Sequence, residues 1–222
     1  DVGEQLHASI RDKTGELEAT MALIREAYQR MEDLGAEIVP IEIPGLDTLL
    51  QGSSVVEYEF KFALESYLRR VPSSPVRSLA DILERGLYHP SLEAILRERN
   101  RPLTLDSDEY RRALRRRDAV RETLLAVMER DDLDAISYPT MRRGPAPLGE
   151  PQRGSTCQLS AASGLPALTL PAGLTDDGLP VGFELLGGHL DDARLVGFAH
   201  AYEQRAHPRR PPEIAPPLES RH

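Results

Sequence analysis

The stretch T175-DDGLPVGFELLGGHLDDAR-L195 decides how this chain is read. It opens with a turn, Thr175-Asp176-Asp177-Gly178, and continues into an apolar run, Val181 to Leu186, that contains one carboxylate, Glu184. It then breaks at Gly187-Gly188 and restarts at Asp191-Asp192, which suit a helix cap. Upstream, A167-LTLPAG-L174 has strand composition, so the two runs joined by the Asp-Gly turn read as a β-hairpin. Pro180 stands at the start of the second strand, where a missing N–H is tolerated. Gly182 is expected to admit a neighbouring backbone, and Gly187-Gly188 to release the chain before the last helix, which runs through Leu195, Val196, Ala199 and Tyr202. A carboxylate inside such a run suggests acid–base chemistry. Glu184 is instead read as framework at a polar pocket or a strand end.

Outward from the hairpin, helical patterns dominate. Leu17, Met21, Ile24, Tyr28, Met31 and Leu34 recur at helical spacing and Gly35 stops them. The segment A36-EIVPIEIP-G45 alternates like an edge strand that carries prolines. Residues 53–69 form a second stripe. Ser78 caps a short helix ended by Gly86, residues 89–100 give another with Ser91 or its neighbour at the start, and Asp106 or Ser107 caps a long helix to about Glu129. D132-LDAISYP-T140 holds a short buried strand, Ala135 to Tyr138. Residues 141–158 have no periodicity and many Gly, Pro and Ser, a length of loop that usually has a function or lacks order. The pattern is α/β: a mixed β-sheet flanked by helices.

Composition narrows the function. The 222 residues are 40% hydrophobic and 28% charged, ordinary for a globular protein, and no apolar run is long enough to span a membrane. Asp1 to Arg11 lacks the pattern of a signal peptide. The net charge of −9 argues against direct nucleic-acid binding, and the arginines of residues 110–121 read as a solvated helix face. A lone Cys157 excludes an internal disulfide and suits a reducing cytoplasm. There is no phosphate-binding glycine loop, nucleophile elbow or HExxH motif, and the six histidines are scattered, so no metal or cofactor is expected.

Three quoted segments carry a resemblance to a known family: DLDAISYPTMRRGPAPLG, then CQLSAASGLPALTLPAGLTDDGLPVGFELLGG, then ARLVGFAHAYEQ. Their order, centred on Gly164-Leu165-Pro166-Ala167, Pro171-Ala172-Gly173 and Gly178-Leu179-Pro180-Val181-Gly182, resembles the C-terminal part of the amidase signature family. MEDLGAEIVPIEIPG and YEFKFALESYL resemble it more loosely, so the likeness runs from about residue 10 to 206. It implies one domain portion over 1–210, with a helical insert at about 53–130, a sheet-forming hairpin region at 132–206 and a proline-rich tail at 207–222.

The resemblance also implies what this chain lacks. The family's serine nucleophile, its second serine with a cis peptide and its lysine base belong to the preceding half of the domain. Gly52-Ser53-Ser54 has no glycine-rich signature around it and reads as a helix cap, and the only lysines are Lys13, in a polar helix-start region, and Lys61, on a helix surface. No catalytic residue is therefore assigned here. The pocket-facing candidates are Tyr138 and Thr140 at a strand end, with Thr156, Cys157 and Gln158 in the long loop. Tyr138, Thr156 and Gln158 either orient an amide or satisfy loop backbone. Many members of the family carry an asparagine where this chain has Ala161.

The expected partners are the N-terminal half of the same domain and a small-molecule amide. Self-association through an exposed sheet face is expected of the isolated chain. A non-catalytic scaffold subunit or pseudoenzyme is the alternative.

Overall fold

The computed structural model describes residues 16–207 together with 209 and 210. Lys13, the N-terminal segment to Arg11 and the tail from 211 onward lie outside the described residues. The chain divides into two compact units, residues 1–47 with 121–222, and residues 48–120. The elements, in order, are α1 (Glu16–Glu32), α2 (Leu46–Leu50), α3 (Val56–Arg69), α4 (Leu79–Glu84), a 3-10 turn (Pro90–Leu92), α5 (Glu93–Arg99) and α6 (Asp108–Arg130). They continue with β1 (Ile136–Pro139), α7 (Gln158–Ser163), β2 (Ala167–Leu174), β3 (Pro180–Leu186) and α8 (Asp192–Ala206).

In the first unit the α/β reading holds, and the sheet has strand order β1-β3-β2. Both ladders are antiparallel, so the expected mixed sheet is not what the described strands form. The reason is connectivity. β2 and β3 are neighbours through the Thr175–Gly178 turn, in which the Gly178 N–H donates to the Thr175 carbonyl at 2.8 Å. Gly178 takes φ +83 there, and β1 then docks on the free edge of β3.

β2 tolerates Pro171 because the ladder is irregular between Pro171 and Gly173. The irregularity turns two carbonyls outward, and both are satisfied. Arg30 donates to the Ala172 carbonyl at 3.0 Å and the Tyr202 hydroxyl donates to that of Pro171 at 3.2 Å. One sheet face packs under α1 and α8. Leu17, Met21, Ile24 and Ala27 of α1 meet Leu170, Ala172, Phe183 and Leu185 of the sheet and Leu195, Ala199 and Tyr202 of α8. Phe183 is held edge-on by two rings, Tyr28 at 6.0 Å and Tyr202 at 5.5 Å.

Several details depart from expectation. Residues 36–45 form no strand. Pro40 and Pro44 remove two backbone donors, and Ile41 and Ile43 are buried. The long loop ends in a helix, α7, that its composition conceals. Asp191 precedes α8 without capping it; its carboxylate accepts from the Gly188 N–H at 3.1 Å.

In the second unit, Ser78 caps α4 by accepting from the Asp81 N–H, and Ser107 accepts from the N–H of Tyr110 in the first turn of α6. Gly52-Ser53-Ser54 does not supply the expected cap, since the N-cap of α3 is Val55, which makes no side-chain bond. Ser53 is fully buried and donates to the Leu50 carbonyl at 2.8 Å, while Ser54 bonds the Glu57 carboxylate. Lys61 is likewise engaged: its ammonium donates to the Asn100 carbonyl at 3.3 Å and lies 5.3 Å from the Phe62 ring centroid.

Candidate functional site

The site candidates gather where β1 leaves the sheet. β1 pairs with β3 so that Tyr138 stands opposite Glu184, and β2 places Thr169 opposite Glu184 on the other side. Directly opposed residues share a face. Tyr138, Glu184 and Thr169 therefore form one polar row across the sheet, on the face opposite Phe183 and Leu185. Thr140 continues the ladder, its N–H donating to the Gly182 carbonyl at 3.0 Å.

The loop that follows is anchored. Met141 and Ser155 form an antiparallel bridge, and the Arg142 N–H donates to the Gly154 carbonyl at 2.8 Å. Within the excursion, Gln152 accepts from the Ala146 N–H and donates to the carbonyls of Gly144 and Arg153. Thr156 is buried, and its hydroxyl donates to the Pro139 carbonyl at 2.6 Å. It staples the returning chain to the end of β1. That interaction is the backbone-satisfying one of the two roles open to it.

Cys157 is exposed and precedes α7; Gln158 is exposed as the first residue of that helix. α7 closes with Gly164 in the left-handed region, φ +70, and Ser163 donates to the Leu159 carbonyl while accepting from the Leu165 N–H. The structure thus brings Tyr138, Thr140, Thr156 and Cys157 to one strand end. Gln158 lies beside them at the surface.

Two further residues belong to this cluster. The Tyr138 ring is wholly buried and its hydroxyl lies near Glu184, Ser160 and Cys157, yet it makes no well-directed hydrogen bond among the described residues. Burial, and the Glu184 carboxylate beside it, push the tyrosine hydroxyl well above its usual range. Glu184 is 7% exposed, in mid-strand rather than at a strand end, and burial raises its carboxyl above the usual value; the nearby Tyr138 hydroxyl opposes that shift.

The Thr140 hydroxyl is also buried without a partner among the described residues. Gly182 explains how it fits. A Cβ at 182 would lie 3.1 Å from Thr169 Cγ2, 3.2 Å from Thr140 Oγ1 and 3.3 Å from the Leu170 carbonyl. The close approach expected at Gly182 is thus made mostly by two threonine side chains. Ser160 gives no signal as a site residue in the sequence, because α7 is not legible there. Glu184 does carry a signal, its charge in an apolar run.

Among the described residues, no group of three or more His, Cys, Asp or Glu side chains is arranged to hold a metal ion, and no helix is long and apolar enough to cross a membrane. What the cluster offers is neutral hydroxyls around one carboxylate, suited to orienting a polar organic group.

An antiparallel hairpin extended by β1 and flanked by helices, with a polar cluster at the end of β1, makes an α/β unit whose polar groups gather at a loop. The chain belongs to the Amidase family, whose model matches residues 11–196. It is 30% identical to a glutamyl-tRNA(Gln) amidotransferase chain of a Synechococcus strain, over 95% of this chain and 44% of that protein. It is also 30% identical to the indoleacetamide hydrolase of Rhizobium radiobacter, over 85% of this chain and 44% of the relative. The X-ray structure of native peptide amidase from Stenotrophomonas maltophilia superposes with a TM-score of 0.75 at 32% identity, covering 86% of this chain and 41% of that one. The chain thus spans less than half the length of these relatives.

Proposed function

We propose that this chain is the C-terminal part of an amidase that cleaves a carboxamide C–N bond through an acyl-serine, with nucleophile and base supplied by the preceding half of the domain. Membership of the Amidase family, at under half the relatives' length, carries this reading. The 222 residues contribute sheet strands and one wall of the pocket. In that wall Tyr138, Thr140 and the start of α7 at Cys157 and Gln158 orient the substrate, and Thr156 fixes the loop. Both compact units belong, on this reading, to the single amidase domain, the helical one as an insert. The reaction needs no metal: acyl transfer proceeds through a positioned nucleophile and hydrogen-bond donors aimed at the developing oxyanion.

The test is ammonia or amine release from simple carboxamides by the full-length polypeptide and by the 222-residue chain alone. The full-length protein is expected to turn over and to be silenced by a serine-acylating reagent, while the isolated chain shows no turnover. Hydrolysis by the isolated chain, abolished by the same reagent, would place the nucleophile within these residues and overturn the division of labour.

A further inference from the structure

We propose that Glu184 is a positioning residue: through the Tyr138 hydroxyl, its proton sets the start of α7 and with it the pocket wall at Cys157 and Gln158. The inference rests on the amidase reading and adds to it how that wall is held.

The parts form one packed chain of contacts. Glu184 is almost wholly buried in β3 and forms no ion pair among the described residues. Tyr138 faces it from β1, and the tyrosine hydroxyl also lies near Ser160 and Cys157. The Ser160 hydroxyl in turn donates to the Cys157 carbonyl at 3.2 Å, across the first turn of α7. Tyr138 thus joins a strand carboxyl to the helix that Cys157 leads into and Gln158 begins.

No well-directed bond fixes the Tyr138 proton among the described residues, so Glu184 decides where it points. As a neutral acid, Glu184 donates to the tyrosine oxygen and leaves the tyrosine proton for Ser160 Oγ. The donors then run in one direction, from β3 through β1 to the Cys157 carbonyl, and each bond strengthens the next. Ionised, Glu184 only accepts. It draws the tyrosine proton to itself in a charge-assisted bond, and Ser160 loses the donor that ties α7 to the sheet. Burial favours the neutral form, so the tie holds below the carboxyl's raised value and is lost as pH climbs through it. Among the described residues, the titratable groups facing the carboxyl are Tyr138 and, across the same hydroxyl, Cys157. Thr169 on β2 is neutral, and α1 and α8 cover the opposite sheet face.

The experiment follows KM and kcat for a simple carboxamide against pH in the full-length protein. KM is expected to rise about fivefold between pH 5 and pH 8.5 with no matching step in kcat, because a loosened wall weakens ground-state and transition-state binding alike. Glu184→Gln, whose amide goes on donating to Tyr138 at every pH, is expected to hold KM flat near its low-pH value. Tyr138→Phe is expected to raise KM throughout and to lose the step. A second arm needs neither substrate nor variant. Hydrogen exchange of residues 155–164 in the unmutated protein, corrected for the intrinsic pH dependence of exchange, is expected to lose protection over the same range.

A KM step that survives Glu184→Gln, or that persists in Tyr138→Phe, overturns the proposal. So does protection of α7 that does not change with pH. If the full-length protein hydrolyses no amide, the amidase reading falls instead, and the exchange arm still tests the tie to α7.

Discussion

Glu184 is the residue whose environment has the most measurable consequence. Burial holds its carboxyl above the ordinary value of 4.5, with the Tyr138 hydroxyl opposing the shift. Unfolding returns the group to that ordinary value, so between the two values the native state holds the proton more tightly. Stability therefore falls as pH rises from about 4.5 through the folded value, in line with proton linkage. Glu184→Gln removes this penalty while keeping the shape. The variant's Tm, relative to the unmutated full-length protein, is expected to be higher at pH 8 than at pH 4. Thermal melts across that range check it, and a pH-independent difference would show that burial does not act on this carboxyl. The residue is visible in the sequence as a charge in an apolar run. Its neighbour Tyr138 is legible too, as a polar group at a strand end, but their opposition depends on strand register, which no local pattern fixes.

At the scale of elements, the hairpin shows how tightly the site face is assembled. β3 is crowded at 182, where a methyl group would meet the two threonines and a backbone carbonyl at 3.1 to 3.3 Å and force them to give by a few tenths of an ångström. Gly182→Ala is expected to destabilise the full-length protein by about 1–3 kcal/mol, as overpacking does elsewhere. It would also displace Thr140, so KM for the amide should rise. Denaturant unfolding and steady-state kinetics on the same preparation check both effects. Helix caps are easier to read than the sheet. Ser78 and Ser107 stand out in the sequence because a cap is a local arrangement of side chain and backbone. The segment 36–45 misleads because alternation alone does not make a strand when Pro40 and Pro44 take donors from its backbone. α7 escapes because six residues between Gly-, Pro- and Ser-rich stretches give no period to measure.

For the molecule as a whole, the sheet order leaves β1 and β2 as outer strands among the described residues, each with one unpaired edge. Ala167 and Thr169 of β2 are exposed. Unpaired edges and uncovered apolar surface invite pairing with another chain. The isolated 222-residue chain is expected to self-associate in light scattering and to bind a hydrophobic dye, and co-expression with the upstream half should suppress both. A monomer that binds no dye would show that these edges need no cover.

The α/β class, the hairpin, most helices and the family likeness are all legible in the order of amino acids, because they rest on local periodicity, turn chemistry and the succession of short motifs. The nomination of Tyr138, Thr140, Thr156, Cys157 and Gln158 as pocket-facing candidates comes from the same order of motifs. The antiparallel sheet and the staple that Thr156 makes across the loop emerge only from the folded chain. The same holds for the cluster of Glu184, Tyr138, Thr140 and Ser160 around Gly182. These depend on the registers between strands and on the return of a loop, contacts between residues far apart in the chain that local preference leaves open.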